Sequence, residues 1–259
     1  MNKEECTLLT NSAEDARRAG EQKSDSPAAQ SPTYTLAYAD KEFLLRPELR
    51  SVRLQLELLK PELLQQEQGI ESTIAVFGSA RLKENTKYYE EARRFSSMIT
   101  SEYQKEGRCR LVVVTGGGPG IMEAANRGAQ EAGGKSIGLS IVLPFEQNAN
   151  PYITPELSFQ FHYFAIRKMH FLIRVRAMVA FPGGFGTLDE LFETLTLIQT
   201  HKIEKFPIVL VGRSFWERVV NFQALVEEGV ISPEDLDLFE LVDTAEEGFS
   251  VLKERMVLD

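Results

Sequence analysis

From residue 73 onward the chain alternates between two patterns. Short apolar runs without polar alternation, such as Ile74-Ala75-Val76-Phe77 and Val112-Val113-Val114, are followed by longer stretches in which apolar residues return every three or four positions. The short runs predict strands buried on both faces, and the longer stretches predict amphipathic helices. On this reading strands cover residues 73–77, 111–115, 136–142, 157–161, 177–181, 207–211 and 238–242. Helices cover 88–106, 121–132, 164–176, 188–199, 215–228 and 245–256. Strands each followed by a helix predict an α/β fold: a Rossmann-like, doubly wound parallel sheet with helices on both faces and its site at the carboxyl ends of the strands.

Upstream the pattern changes. Residues 1–40 are rich in Ser, Glu, Ala, Gln and Asn, with little periodicity, and predict a flexible tail on which Tyr34, Leu36 and Tyr38 are able to dock on a neighbour. Between residues 43 and 68, Leu44, Leu45, Leu49, Leu54, Leu56, Leu58, Leu59, Leu63 and Leu64 recur at helical spacing. Pro47 suits a helix start and Pro61 predicts a kink or restart. The expected organisation is a tail (1–40), a helical arm (41–70) that packs on the main domain or on another subunit, and a catalytic domain (71–259).

Composition narrows the function. The 259 residues are 43% hydrophobic, which suits one large α/β domain with extensions. A net charge of −9 argues against a general nucleic-acid or membrane-surface binder. Cys6 and Cys109 match no metal or redox spacing, and His162, His170 and His201 form no ligand pair, so neither a metal nor another cofactor is expected. With no long apolar run and no signal-peptide core, the expected location is the cytoplasm.

The stretch Phe181-Pro182-Gly183-Gly184-Phe185-Gly186-Thr187-Leu188-Asp189-Glu190 joins a predicted strand to a predicted helix. Glycines there are expected to permit positive φ and close approach of a ligand to the main chain. The free N–H groups and dipole of the helix start favour an anion, with Thr187 capping the helix or offering its hydroxyl to that anion. Glu190, one turn in, brings a carboxylate beside the bound group. A second turn, Thr115-Gly116-Gly117-Gly118-Pro119-Gly120, and Gly78-Ser79 after the first strand repeat the context. Ser79, Gly117, Gly118, Gly183 and Gly184 are therefore candidates to contact a phosphorylated ligand. The glycine spacing is tighter than G-x-G-x-x-G, the next strand ends at Leu143-Pro144 without an acid, and no Lys-Ser or Lys-Thr follows. A mononucleotide or sugar phosphate fits better than NAD or ATP hydrolysis. Arg167 is expected on the same rim as Glu190, with a planar fork for phosphate or base. His170, one turn later, is a weaker candidate.

Pro182-Gly183-Gly184-x-Gly186-Thr187-x-x-Glu190, preceded by Arg167-Lys168, resembles the signature of the Lonely Guy family, cytokinin-activating nucleoside-monophosphate phosphoribohydrolases often mislabelled as lysine decarboxylases. The resemblance spans roughly residues 74–211. It implies a Rossmann-like fold, homo-oligomers from dimers upward, and hydrolysis of the N-glycosidic bond of a purine nucleoside monophosphate, AMP or a cytokinin riboside monophosphate. By that resemblance Arg167 and Glu190 carry catalysis. Lys168, Gly184, Phe185, Gly186, Thr187, Leu188, Asp189 and Thr196 are similar to ligand-binding positions, with Glu146 a further one. The chain departs from short plant members in its two terminal extensions and in Met169-His170-Phe171, where they have Ala-Glu-Met. The competing expectation is a nucleotide-binding carrier or sensor, which does not require the Arg167–Glu190 pair. A pyridoxal-phosphate decarboxylase would need a Schiff-base lysine, and at the sheet rim only Lys168 offers one.

Overall fold

The structure, a computed structural model, describes residues 11–21, 25–144 and 148–256. The chain divides into two compact units, Met1–Leu56 and Glu57–Asp259.

In the first unit, residues left without an element by the sequence pattern form helix α1 (Ser12–Glu21). The Asn11 side chain accepts the Ala13 N–H at its start, and Arg17–Glu21 and Arg18–Glu14 pair one turn apart. Helix α2 (Lys41–Leu44) is capped by the Asp40 side chain, which accepts from the Phe43 N–H at 3.0 Å. Arg53 then donates to the Leu44 and Arg46 carbonyls, each at 2.7 Å.

Helix α3 (Arg50–Glu67) crosses into the second unit, which thus takes in the latter half of the leucine-rich arm. The helix continues through Pro61, where the sequence predicts a kink or restart. Proline cannot supply the N–H that the carbonyl four residues earlier requires. That carbonyl belongs to Glu57, and it accepts instead from the His170 ring, Nε2 to oxygen 3.0 Å.

The second unit is built on seven strands in the order β4-β3-β2-β1-β5-β6-β7. They are β1 (Thr73–Phe77), β2 (Val112–Thr115), β3 (Ser136–Ile141), β4 (Ser158–Phe161), β5 (Val175–Ala180), β6 (Ile208–Val211) and β7 (Phe239–Val242). Every neighbouring pair is parallel, and all seven expected strands are present. The helices are α4 (Lys87–Tyr103), α5 (Ile121–Glu131), α6 (Phe164–Leu172), α7 (Phe185–Gln199), α8 (Arg213–Val219), α9 (Phe222–Glu227) and α10 (Ala245–Arg255). Alternate strand residues feed two cores, one on each face. Ala75 and Phe77 pack with Phe171, Leu191 and Trp216, while Ile74 and Val76 pack with Tyr89, Phe95 and Phe181.

Several helix boundaries differ from expectation, among them the end of α4, at Tyr103 and not residue 106. Helix α6 ends at Leu172, because Arg176, expected at its end, lies in β5. The helix expected over 215–228 splits in two, and the Asn221 side chain caps the second part by accepting the Ala224 N–H at 3.1 Å. Helix α7 starts at Phe185, three residues before the expected Leu188.

The connections step outward from β1 through β2 and β3 to β4. The chain then returns to place β5 on the other side of β1. The order therefore reverses between β1 and β5, the kind of switch point at which open parallel sheets bind ligands beyond the carboxyl ends of their strands. The turn carrying Gly183 to Glu190 follows β5, and the turn carrying Ser79 follows β1.

Candidate functional site

Main-chain hydrogen bonds tie the three expected turns together at this switch point. The Ser79 N–H donates to the Pro182 carbonyl at 3.0 Å, and the Ile121 N–H donates to the Ser79 carbonyl at 3.0 Å. One residue thus joins the turn after β1 to the turns after β5 and β2. The Ser79 hydroxyl accepts from the Arg81 N–H at 3.0 Å.

In the turn after β2, Gly117 and Gly120 take φ of 73° and 72°, the left-handed region that favours glycine. A side chain at Gly120 would begin 2.3 Å from the Ser79 carbonyl oxygen. The turn rests on a buried polar network. Thr115 Oγ1 accepts the Gly117 N–H at 3.0 Å and donates to Asn126 Oδ1 at 2.7 Å. Asn150 Nδ2 donates to the carbonyls of Gly117 (3.2 Å) and Gly118 (3.0 Å) and to Asn126 Oδ1 (2.9 Å). The sequence pattern singles out neither Asn150 nor Asn126, because an isolated asparagine carries no pattern that reveals such partners.

The turn after β5 works differently from expectation. Gly183, Gly184 and Gly186 do not use positive φ, and Gly184 has φ −93°. Gly183 is required by packing, since a Cβ there would stand 2.1 Å from Thr187 Oγ1 and 2.6 Å from Thr187 Cβ. At Gly184 and Gly186, by contrast, a Cβ meets no described atom within 4 Å, so the main chain there faces open space. Gly184 occupies the cap position of α7 and its carbonyl accepts the Thr187 N–H at 3.0 Å. Thr187 therefore does not cap the helix; it is buried against Gly183. Phe185, the first helical residue, is 92% exposed, and Leu188 is half-buried.

Glu190, the sixth residue of α7, lies in the second turn of the helix and is 7% exposed. Burial pushes its carboxyl up to about 7, against the pull of Lys168 and Arg167, while Glu193 and Asp189 add to the rise. The Lys168 ammonium lies 2.8 Å from Asp189, 2.9 Å from Glu193 and 4.0 Å from Glu190. Partial burial opposes its charge, but the hydrogen bonds to Asp189 and Glu193 outweigh that and hold its pKa above the ordinary lysine value. Arg167 Nε donates to the carbonyl of Leu139 within β3, 2.7 Å away, and its guanidinium stacks over Phe171. One guanidinium nitrogen stands 2.7 Å from where a side chain at Gly116 would begin. The cation thus covers the turn after β2 and also acts electrostatically on Glu190. Burial lowers the Arg167 pKa from its ordinary value.

Thr196 lies farther along α7, where its hydroxyl donates to the Phe192 carbonyl at 2.7 Å. With Lys168, Phe185, Leu188, Asp189 and Phe192 it lines a shallow groove of about 500 Å³. Glu146 lies outside the described residues. His170 is buried and engaged with Glu57, away from the rim. Among the described residues no group of three or more His, Cys, Asp or Glu is placed to hold a metal ion, and no helix is long and apolar enough to cross a membrane.

A family model described as possible lysine decarboxylase matches residues 122–252, half of the 259-residue chain. A cytokinin riboside 5′-monophosphate phosphoribohydrolase of Arabidopsis thaliana is 28% identical over 146 residues. The match covers 55% of this chain and 66% of that relative, so the chain spans just under two thirds of the relative's length. Among solved structures, the structural-genomics target TM1055 aligns with 20% identity and a TM-score of 0.52, covering 71% of this chain and 99% of the other. The molybdenum cofactor binding protein of the phototrophic bacterium Rippkaea orientalis aligns with 20% identity and a TM-score of 0.50, covering 71% and 96%. At that identity the likeness is one of fold.

Proposed function

This chain belongs to the possible lysine decarboxylase family, which includes the Lonely Guy proteins, and we propose that it hydrolyses the N-glycosidic bond of a purine nucleoside 5′-monophosphate. The products are the free base and ribose 5-phosphate. The substrate class is AMP or an N6-modified AMP, in keeping with the activity named for the plant relative.

The observation that carries this reading is the setting of Glu190. A buried carboxylate with a pKa of about 7 sits one turn behind two glycines whose main chain faces open space. In this proposal the N–H groups at the start of α7 hold the 5′-phosphate, and Arg167, which reaches from α6 over the turn after β2, adds its fork. Phosphate binding holds the ribose in place at a distance from the reacting carbon. Glu190, ionised, takes a proton from water as the water oxygen bonds to C1′. The C1′–N9 bond breaks, its electron pair leaves with the base, N9 takes a proton from solvent, and Glu190 returns to solvent the proton it took from the attacking water. Positive charge that builds on C1′ lies beside the carboxylate, as in other glycoside chemistry.

The decarboxylase description in the family's name fits these residues poorly. A Schiff-base lysine must give up its proton to attack a carbonyl. Lys168 instead sits among Asp189, Glu190 and Glu193, which hold the ammonium charged.

Chromatography of the products from AMP and from adenosine tests the proposal. Release of adenine from AMP, with adenosine hardly cleaved, is the expected result. Equal rates on both would remove the phosphate from the account, and AMP bound tightly without turnover would favour a carrier.

A further inference from the structure

Helix α6 carries Arg167 and Lys168 as its fourth and fifth residues, and both of its ends are fastened to one residue of the arm. The Glu57 carboxylate accepts the N–H of His162 at 2.9 Å with one oxygen and the N–H of Tyr163 at 3.1 Å with the other. Tyr163 is the cap position of α6 and supplies no side-chain cap of its own. The Glu57 carbonyl accepts from His170 Nε2 at 3.0 Å, in the last turn of the same helix. That carbonyl is available because Pro61, four residues on, has no N–H to offer. Three separate features therefore meet at one point: an acid in the arm, a proline one turn later, and a buried histidine on α6. The neighbouring Glu62 adds a bond from Arg174 Nη2 at 2.9 Å, just beyond the end of α6.

We propose that Glu57 is a positioning residue, which fixes the axial place of α6 and so sets Arg167 and Lys168 against Glu190 and the glycine turns. This inference rests on the proposed site, not on the identity of its substrate. A carboxylate at the helix start accepts two N–H groups and interacts favourably with the positive end of the helix dipole, whereas an amide offers one acceptor and one donor. In Glu57→Gln one of the two N–H groups loses its acceptor and faces a donor instead. The start of α6 loosens, and the two cations spend less time near the site. The groups that act on Glu190 are Lys168, Arg167, Glu193 and Asp189. Weakening the first two leaves the acids dominant, so Glu190 ionises at higher pH.

The test compares wild type, Glu57→Gln and Glu67→Gln, an exposed acid on the same helix. Amide hydrogen exchange at His162 and Tyr163, AMP affinity, and the pH dependence of adenine release are read in each. In Glu57→Gln the expected results are exchange at both amides faster by about tenfold or more, turnover lower by about tenfold, and the acid limb of kcat/KM moved to higher pH. Glu67→Gln should match wild type in all three. A Glu57→Gln protein with an unchanged acid limb and protected amides overturns the proposal. Should that variant fail to fold, exchange in the wild type decides, since unprotected His162 and Tyr163 amides overturn it as well. Absence of hydrolysis in wild type would reject the reaction, and the clamp would then be judged on exchange and AMP affinity alone.

Discussion

Lys168 Nζ stands 4.0 Å from the Glu190 carboxylate while it bonds Asp189 at 2.8 Å and Glu193 at 2.9 Å. The lysine therefore offsets, without cancelling, the cost of ionising a buried acid, and Glu190 remains near 7. Removing the ammonium in Lys168→Met takes away attraction and leaves two carboxylates unneutralised. The Glu190 pKa must rise, so the ionised form appears only at higher pH. The expected outcome is an acid limb of kcat/KM displaced upward by about one pH unit, measured as initial rates between pH 5 and 9. Asp189→Asn should move the limb the other way, because it removes a repulsive charge and frees Lys168 to turn to Glu190.

The same acid links stability to pH. The folded-state pKa of Glu190 lies above the ordinary value of 4.5, so between 4.5 and about 7 the folded protein holds a proton that the unfolded chain has released. The contribution of this residue is present in full below the lower value and is lost as pH rises through the upper one. Glu190→Gln removes that loss. Relative to wild type it should gain on the order of 1–3 kcal/mol at pH 8, and much less at pH 5. Denaturant melts at the two pH values check this, and an equal change at both would show that Glu190 is not held in its neutral form by the fold.

The glycines of the turn after β5 separate packing from binding. Gly183→Ala places a methyl 2.1 Å from Thr187 Oγ1 and 2.6 Å from Thr187 Cβ, so rotating the threonine does not relieve the clash. A loss of about 1–3 kcal/mol in stability is expected. Gly184→Ala meets open space at an ordinary φ and should leave stability within about 0.5 kcal/mol of wild type. If the phosphate lies on that face, the added methyl should still weaken AMP binding by about tenfold or more. Thermal melts with calorimetric titration of AMP distinguish the two residues.

These glycines also show how far the sequence reaches. The seven strands and the three glycine- or serine-bearing turns follow from buried apolar runs and small residues, which report local conformation and burial directly, whereas the strand order does not. Glu190 and Arg167 were legible because each lies a fixed number of residues from a strand end. The roles within the turn were not. Positive φ belongs to Gly117 and Gly120, and the demand for glycine at Gly183 comes from Thr187 packed above it, a tertiary contact without periodicity. The passage of α3 through Pro61 was likewise hidden, because the partner of the orphaned carbonyl, His170, lies far along the chain.

Asn150 is another residue whose importance lies in its partners. Its Nδ2 serves three acceptors, the Gly117 and Gly118 carbonyls and Asn126 Oδ1. Asn150→Ala leaves the buried Gly118 carbonyl without this donor and removes one of two donors from the Gly117 carbonyl and from Asn126 Oδ1, and should cost about 1–3 kcal/mol. Asn150→Asp should cost more, since it presents an anion to three oxygens. Both variants should raise KM for AMP, because the turn that carries Gly116 to Gly120 is no longer held. Urea unfolding and steady-state kinetics on the folded fraction test the two effects separately.

The central claim is that Glu190 works on a nucleotide held by its phosphate at the junction of β1 and β5. Its most direct test is release of adenine and ribose 5-phosphate from AMP by wild-type protein and by Glu190→Gln, with AMP affinity measured for both. The account predicts release by wild type, a loss of about 10²-fold or more in the variant, and AMP binding retained in the variant. Near-normal turnover by Glu190→Gln would contradict it.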